Sequence, residues 1–159
     1  MRPSLRRVWV GSLALLAALS PSCDDDDHGC EPGVPCPCSD GNACVLDCRD
    51  TDRCVPICSR ASLCDVRCGA GCQYDCSDIS SCRVGTGPGS SVRCASVSTC
   101  EATVAAESTV DCTNLSSCRV RCTADCEVQC AGVGDCDVAC AGAPATDCGD
   151  GRWVCARDC

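Results

Sequence analysis

The cysteines are the residues of this sequence whose type and spacing could do chemistry, since 25 of its 159 residues are cysteine. Thiols at that density bind soft metal ions, exchange in redox reactions or pair as disulfides. Zinc sites and thiol–disulfide catalysts favour cysteines separated by two residues, a spacing that occurs nowhere in this chain. Cys36 and Cys38 form the one C-x-C pair. The spacing therefore favours disulfides. We predict neither a metal site nor a cofactor, and a thiolate metal-binding protein is the alternative.

The other reactive side chains form no catalytic arrangement in the sequence. The one histidine, His28, lies in an acidic segment outside the cysteine repeats, so no serine or cysteine of the repeats has a histidine as general base. A row of serines fits turn hydroxyls that satisfy the backbone, namely Ser62, Ser80, Ser98 and Ser116. Two pairs of carboxylates fit surface charges, namely Asp135 with Asp137 and Asp147 with Asp150. We predict no catalytic residues and a protein that is not an enzyme.

The N-terminal segment has the pattern of a secretory signal. Three arginines, an apolar run from Val8 to Leu19 and small residues precede Cys23. The run is too short to span a membrane as a helix and is typical of a signal peptide. We predict that residues 1–22 are such a peptide and that the chain is exported to an oxidising compartment, where dense cysteines form disulfides.

The segment from Leu19 to Cys23 resembles the lipobox of bacterial lipoproteins, in which a cysteine after small residues is acylated. Ser20 stands where that family usually has leucine. Taking Cys23 from the 25 cysteines leaves an even number for pairing. We predict a lipid-anchor cysteine and an acidic tether at 23–29. The alternative is plain secretion with Cys23 free or in an intermolecular bond. Asp24 to Asp27 favour a solvated, self-repelling tether over a cation site, because consecutive flexible carboxylates lack preset geometry.

The formal net charge of the chain is −9. An acidic surface disfavours nucleic acid and anionic membrane surfaces as partners. The predicted partners are a membrane, reached through the lipid anchor, and an unknown extracellular ligand, with no nucleic acid.

A cysteine pattern with a fixed period organises the rest of the chain. The motif C-x5-C recurs every eighteen residues, at Cys58 and Cys64, Cys76 and Cys82, Cys94 and Cys100, Cys112 and Cys118, and Cys130 and Cys136. Segments of the type C-x-V-x-C lie between these loops, as in Cys118 to Cys122. Such alternation places the cysteines and the valine on one face of a β-strand.

Stacking the copies gives three predicted inward columns of side chains. The first holds Leu46, Val66, Val84, Ala102, Val120 and Val138. The second holds Pro56, Tyr74, Val92, Val110, Val128 and Thr146. The third holds Gly41, Ala61, Ile79, Val97, Leu115 and Val133.

These columns predict an all-β fold, a small disulfide-stapled β-solenoid of about six coils of 18–20 residues, because neighbouring coils can bury faces that one coil cannot. The alternative is a meander of disulfide-closed hairpins. We place an N-terminal disulfide cap at 30–37, the repeat domain at 38–148 and a C-terminal cap at 149–159.

Loop ends can approach within disulfide range, whereas the two ends of a C-x-V-x-C strand lie about 13 Å apart. In two repeats the cysteines equivalent to Cys68 and Cys72 are both absent, at positions 86 and 90 and at positions 104 and 108. Because these two cysteines are lost together, we expect them to pair with each other. We therefore predict consecutive pairing: Cys30 with Cys36, Cys38 with Cys44, Cys48 with Cys54, Cys58 with Cys64, Cys68 with Cys72, Cys76 with Cys82, Cys94 with Cys100, Cys112 with Cys118, Cys122 with Cys126, Cys130 with Cys136, Cys140 with Cys148 and Cys155 with Cys159.

A cysteine after a signal, an acidic tether and tandem C-x5-C and C-x-V-x-C units together resemble cysteine-rich repeat lipoproteins of myxobacterial type. The resemblance covers Cys38 to about Cys148 and implies a protein of the outer membrane or cell surface. We predict a rigid, non-enzymatic scaffold or an adhesion or binding module. The alternatives are a thiolate metal-binding protein and a glycan- or ice-binding module.

Overall fold

The computed structural model describes residues 30–38, 41 and 43–159. The regular secondary structure of these residues consists of β-strands. The predicted signal peptide, 1–22, and the predicted anchor and tether, 23–29, lie outside the described residues. One sheet has eight strands: β1 (Pro35–Cys38), β3 (Val55–Ser59), β5 (Gln73–Ser77), β7 (Ser91–Ala95), β9 (Ser108–Thr113), β11 (Cys126–Ala131), β13 (Thr146–Gly149) and β14 (Arg152–Cys155). The other has six: β2 (Ala43–Cys48), β4 (Leu63–Cys68), β6 (Ser81–Thr86), β8 (Thr99–Val104), β10 (Ser117–Cys122) and β12 (Asp135–Cys140).

Successive strands from β1 to β13 alternate between the two sheets, so the chain winds as a β-solenoid of about six coils. Strands β1 to β12 pair in parallel with the strand two positions along the chain. Cys118, for example, lies between Cys100 and Cys136 across three coils. The predicted solenoid is confirmed. The hairpin meander is wrong, because it requires consecutive antiparallel strands throughout the repeats.

The alternation within each strand explains why these segments form sheets. In β10, Cys118, Val120 and Cys122 are fully buried, while Arg119 and Arg121 are exposed. Alternate side chains of a strand lie on opposite faces, so β10 presents a Cys-Val-Cys face inward, as do β4 and β12. In β6 and β8, Thr86 and Val104 replace the second cysteine. In the internal coils, each such face packs into one core with the opposite sheet and with the coils above and below it.

The inward columns follow the predicted ones through the middle of the stack and depart from them at both ends. Val66, Val84 and Val120 are buried, whereas Val138 in the last coil is half-buried. Thr146 is exposed and does not continue its column. Here the chain reverses, and β14 pairs antiparallel with β11 in place of another parallel strand. At the other end, Gly41 is exposed and adds no apolar side chain.

The five-residue loops contain one backbone position in the left-handed region, two residues after the first cysteine. It is occupied by Arg60 (φ 58), Asp78 (φ 56), Ser96 (φ 56), Asn114 (φ 57) and Gly132 (φ 64). Asn, Asp and Gly accept this conformation most readily. The Asn114 N–H donates to the Ala131 carbonyl at 2.9 Å, so hydrogen bonding between coils continues around the bend.

We predict that reductant abolishes the β-strand signal in circular dichroism, whereas a chelator alone leaves it unchanged. Most interior side chains other than Tyr74 are cysteine, valine or alanine, and closing each short loop with a disulfide contributes about 2 kcal/mol on an entropic model. Unfolding by chelator, with recovery on adding zinc under reducing conditions, would show that thiolate–metal bonds hold the fold instead.

Candidate functional site

Disulfides close eight loops of the solenoid. Eight bridges have Cα–Cα distances of 5.9–6.5 Å and match consecutive pairing. They join Cys38 with Cys44, Cys58 with Cys64, Cys68 with Cys72, Cys76 with Cys82, Cys94 with Cys100, Cys112 with Cys118, Cys122 with Cys126 and Cys130 with Cys136. Disulfides at this density are typical of proteins exported to oxidising compartments.

Pairing at the C-terminal end differs from the consecutive scheme. Cys140 bonds to Cys155, and Cys148 bonds to Cys159. The antiparallel pairing of β14 places Cys155 opposite Cys126. Cys155 thereby occupies the position next to Cys126 that the eighteen-residue period assigns to Pro144. The Cys140–Cys155 disulfide then closes the end of the last coil. Pairing of Cys140 with Cys148 and of Cys155 with Cys159 is therefore wrong.

Pairing at the N-terminal end also differs. Cys30 bonds to Cys48, so the predicted bonds of Cys30 to Cys36 and of Cys48 to Cys54 are not formed. Cys36 is itself disulfide-bonded, and its Sγ lies 3.9 Å from that of Cys30. The sulfurs of Cys30, Cys48 and Cys54 lie within 4.8 Å of one another, so Cys30 competes with Cys54 for Cys48.

Cys54 is the free cysteine of the described residues, and it is fully buried. Its thiol donates to the carbonyl oxygen of Thr51 at 3.0 Å. Burial raises the pKa of this thiol. A raised pKa and lack of access make a structural rather than a reactive cysteine.

Three sulfur clusters could hold a soft metal ion by distance. They are Cys30 with Cys48 and Cys54, Cys44 with Cys58 and Cys64, and Cys122 with Cys126 and Cys155. Each contains at least one disulfide. A metal needs thiolates, so an ion could bind these clusters only after the bridges are reduced.

Two coils lack the cysteines equivalent to Cys68 and Cys72, and a buried serine replaces the second cysteine in each of them. Ser90 and Ser108 are 2% and 0% exposed. The Ser90 hydroxyl accepts from the Cys72 N–H at 3.1 Å, and the Ser108 hydroxyl accepts from the Ser90 N–H at 3.2 Å. These serines therefore link coils by hydrogen bonds. Their burial could have been predicted from the sequence, because both serines stand at the repeat position of Cys72.

The serine row noted in the sequence lies on the outside of the loops. Ser62, Ser80, Ser98 and Ser116 are all exposed, and their backbone carbonyls accept hydrogen bonds from the next coil. His28 lies outside the described residues. Asp147 is also exposed, and its carboxylate accepts from the Gly149 N–H at 2.8 Å. These contacts support structural roles for the turns.

The outward face of the six-stranded sheet carries an alternating row of charges, which we call the charge ladder. Its members are in register on five successive strands: Asp65, Arg83, Glu101, Arg119 and Asp137. Glu101 pairs with Arg83 at 3.2 Å and with Arg119 at 3.3 Å. The outer pairs, Arg83 with Asp65 and Arg119 with Asp137, are longer at 3.8 and 3.6 Å. Stacking thus largely neutralises the middle of this face.

Hydrogen-bonded ion pairs also lie at both ends of the solenoid. The Arg49 guanidinium donates to Asp47 and lowers the pKa of that carboxyl group. The Arg152 guanidinium donates to Glu127 at 2.9 Å, which lowers the pKa of Glu127 and ties β14 to β11. These groups are exposed or half-exposed, so each pair adds little stability.

The surface has open depressions. One lies on the eight-stranded sheet between Val55, Ile57 and Arg93. Another surrounds Gly85, where Arg49, Arg67 and Arg83 converge. Open space surrounds the Gly85 Cα, since an added Cβ would meet no atom within 4 Å. No histidine lines either depression.

Comparison of the chain with family models, curated proteins and solved structures finds no match. Within residues 30–38, 41 and 43–159, the structure has no helix with the length and apolar character to cross a bilayer. The class defined by the geometry alone is a disulfide-rich β-solenoid.

Replacing Glu101 with glutamine should lower the free energy of unfolding by about 0.5 to 1 kcal/mol, since it removes the acid shared by two arginines. Urea unfolding at low salt measures the loss, and 1 M NaCl should remove most of it by screening. Glu107→Gln is the matched control, because Glu107 is exposed and forms no ion pair in the described part of the chain. Equal losses in both variants would contradict a stabilising ladder.

Iodoacetamide should leave Cys54 unmodified in the native protein and label it after urea unfolding without reductant. The reason is the complete burial of the thiol, and tryptic peptide mapping locates the label. A Cys54→Ala variant should lose that label. If Cys54 resists labelling in urea and its peptide is joined to the Cys48 peptide, the loop-closing pair forms instead of the Cys30–Cys48 bond.

Proposed function

We propose that the protein is an exported, lipid-anchored protein of the outer membrane or cell surface whose solenoid is a rigid, non-enzymatic scaffold. The observation that carries the proposal is the continuous in-register stack, closed coil by coil with disulfides. At about 4.8 Å per coil, six coils give a rod roughly 29 Å long. Such a rod presents rows of outward side chains at fixed spacing without needing a cleft.

The sequence supports the anchored end of this arrangement. A signal-like segment precedes Cys23, which is suited to acylation, and four aspartates follow it. Like charges keep a short tether extended. The tether would hold the solenoid away from the membrane, with its outer face available to an extracellular ligand. The resemblance to cysteine-rich repeat lipoproteins of myxobacterial type supports the same placement.

The outward-facing side chains also indicate which class of ligand the scaffold would bind. An ice-binding face needs a flat, repeated array of similar side chains, whereas the charge ladder alternates in sign along the stack. An alternating polar face suits recognition of a protein segment better than a lattice. We therefore favour a scaffold that binds proteins over a glycan- or ice-binding module.

Thiolate metal binding is the second candidate, and the three sulfur clusters are the observation that favours it. It requires a reduced protein, because each cluster includes a disulfide. In an oxidising compartment the bridged form is favoured. Mass spectrometry of the exported protein, without reductant or chelator, would count free thiols, acyl groups and bound ions together.

We predict that Cys23→Ser releases the protein into the medium with an unchanged circular dichroism spectrum, because the change removes the acylation site and leaves the sequence of every described strand intact. Fractionation of cells and medium measures the release. Ser22→Ala retains Cys23 and is the matched control, which should stay with the membrane. Membrane retention of Cys23→Ser would refute the lipid anchor.

A further inference from the structure

The two sheets end differently at the C-terminal end of the solenoid. The eight-stranded sheet is closed by the antiparallel hairpin of β13 and β14. The six-stranded sheet ends at β12, which pairs only with β10 among the described strands. One edge of β12 therefore presents backbone N–H and C=O groups without a strand partner.

Burial shows that this edge is uncovered. Cys118, Val120 and Cys122 of β10 are 0% exposed. Their counterparts in β12, Cys136, Val138 and Cys140, are all half-buried. The inward face of the last coil thus lacks the neighbour that covers it in every internal coil. One added strand would supply that neighbour and pair the free backbone groups.

The charge ladder indicates what such a strand would carry. Glu101 has an arginine on both sides, whereas Asp137 forms an ion pair with Arg119 alone among the described residues, and its side chain is 62% exposed. Asp135, at the start of β12, is exposed as well. Because acidic and basic residues alternate along the ladder, a basic side chain at the position beyond Asp137 would continue the alternation. The positions beyond Cys136 and Val138 call for apolar side chains.

We propose that β12 is a docking edge for an extended segment of a partner protein in which basic and apolar residues alternate. The segment adds as a further strand of the six-stranded sheet. Its backbone pairs with β12, a basic side chain meets Asp137, and apolar side chains cover Cys136 and Val138. This is β-strand addition, in which main-chain hydrogen bonds give affinity and alternate side chains give specificity. The inference deepens the proposed function and rests on it, since it names the partner of the scaffold.

A second copy of this chain fits the edge poorly. Head-to-tail stacking would set β2 on β12 and place Val45, which occupies the ladder position in β2, against Asp137. Pairing of two β12 strands would bring four aspartates to one face. Charged edges of this kind oppose self-association. A basic strand of another protein removes the repulsion instead of adding to it.

The probe is a fluorescein-labelled, end-blocked peptide in which valine and arginine alternate, titrated with the purified, oxidised protein and followed by fluorescence anisotropy. A second peptide has glutamate in place of arginine, and a third has the same composition with the valines grouped together. We expect the alternating arginine peptide to bind at least tenfold more tightly than either. Hydrogen exchange should show new protection in β12 and none in the hairpin of β13 and β14.

Variants test the position of binding. Asp137→Arg should weaken binding of the arginine peptide at least tenfold. Asp111→Arg makes the same change of net charge on the eight-stranded sheet, where Asp111 is exposed, and should leave binding unchanged. Equal weakening in both variants, or equal binding of the grouped peptide, would show nonspecific charge attraction and overturn the docking edge.

Sedimentation of the protein alone tests the other occupant. A dimer that Asp137→Arg disrupts would assign the edge to a second copy and overturn the proposed partner. The docking edge can fail while Cys23→Ser still releases the protein, and the anchor can fail while the peptide still binds. The two proposals are therefore tested separately.

Discussion

The in-register stacking of coils eighteen residues apart is the constraint on which the rest of this structure depends. The inward face of one coil offers a valine between two cysteines, too little apolar volume for a core of its own. Burial becomes possible only when the same face recurs directly above and below. Register also fixes which cysteines meet. The bridges then hold each loop at the length that keeps the next coil in phase, so stacking and covalent closure support each other.

The outer face follows from the same register. Residues eighteen apart along the chain become neighbours about 4.8 Å apart, so a sign change from repeat to repeat is enough to build the charge ladder. Like charges at one ladder position would repel along the whole stack, and alternation avoids this. The same rule makes the ends distinct from the middle. An internal ladder residue such as Glu101 forms ion pairs on both sides, whereas Asp137, at the end of the ladder, forms one among the described residues.

The period, the strand faces and the loop-closing bridges of the internal coils could be predicted from the sequence, because each follows from local spacing and strand geometry. The ends could not, because they depend on where the period stops. Thr146 keeps the period but lies in β13, which the reversed strand β14 separates from β11. Cys155 lies outside the period but is brought to Cys140 by antiparallel pairing. At the other end, Cys54 has the spacing of a loop cysteine and loses its partner to Cys30, a choice that only three-dimensional proximity reveals.

Non-reducing digestion of one tryptic fragment tests whether the bridges of the internal coils close loops within a coil and do not link one coil to the next. Cleavage at Arg93 and Arg119 releases a fragment with Cys94, Cys100, Cys112 and Cys118, and a glutamate-specific protease then cuts it at Glu101 and Glu107. Loop closure predicts two separate pieces, 94–101 and 108–119, each with one internal disulfide. Two pieces that stay joined until reductant is added would show bridges between stacked coils and would contradict it.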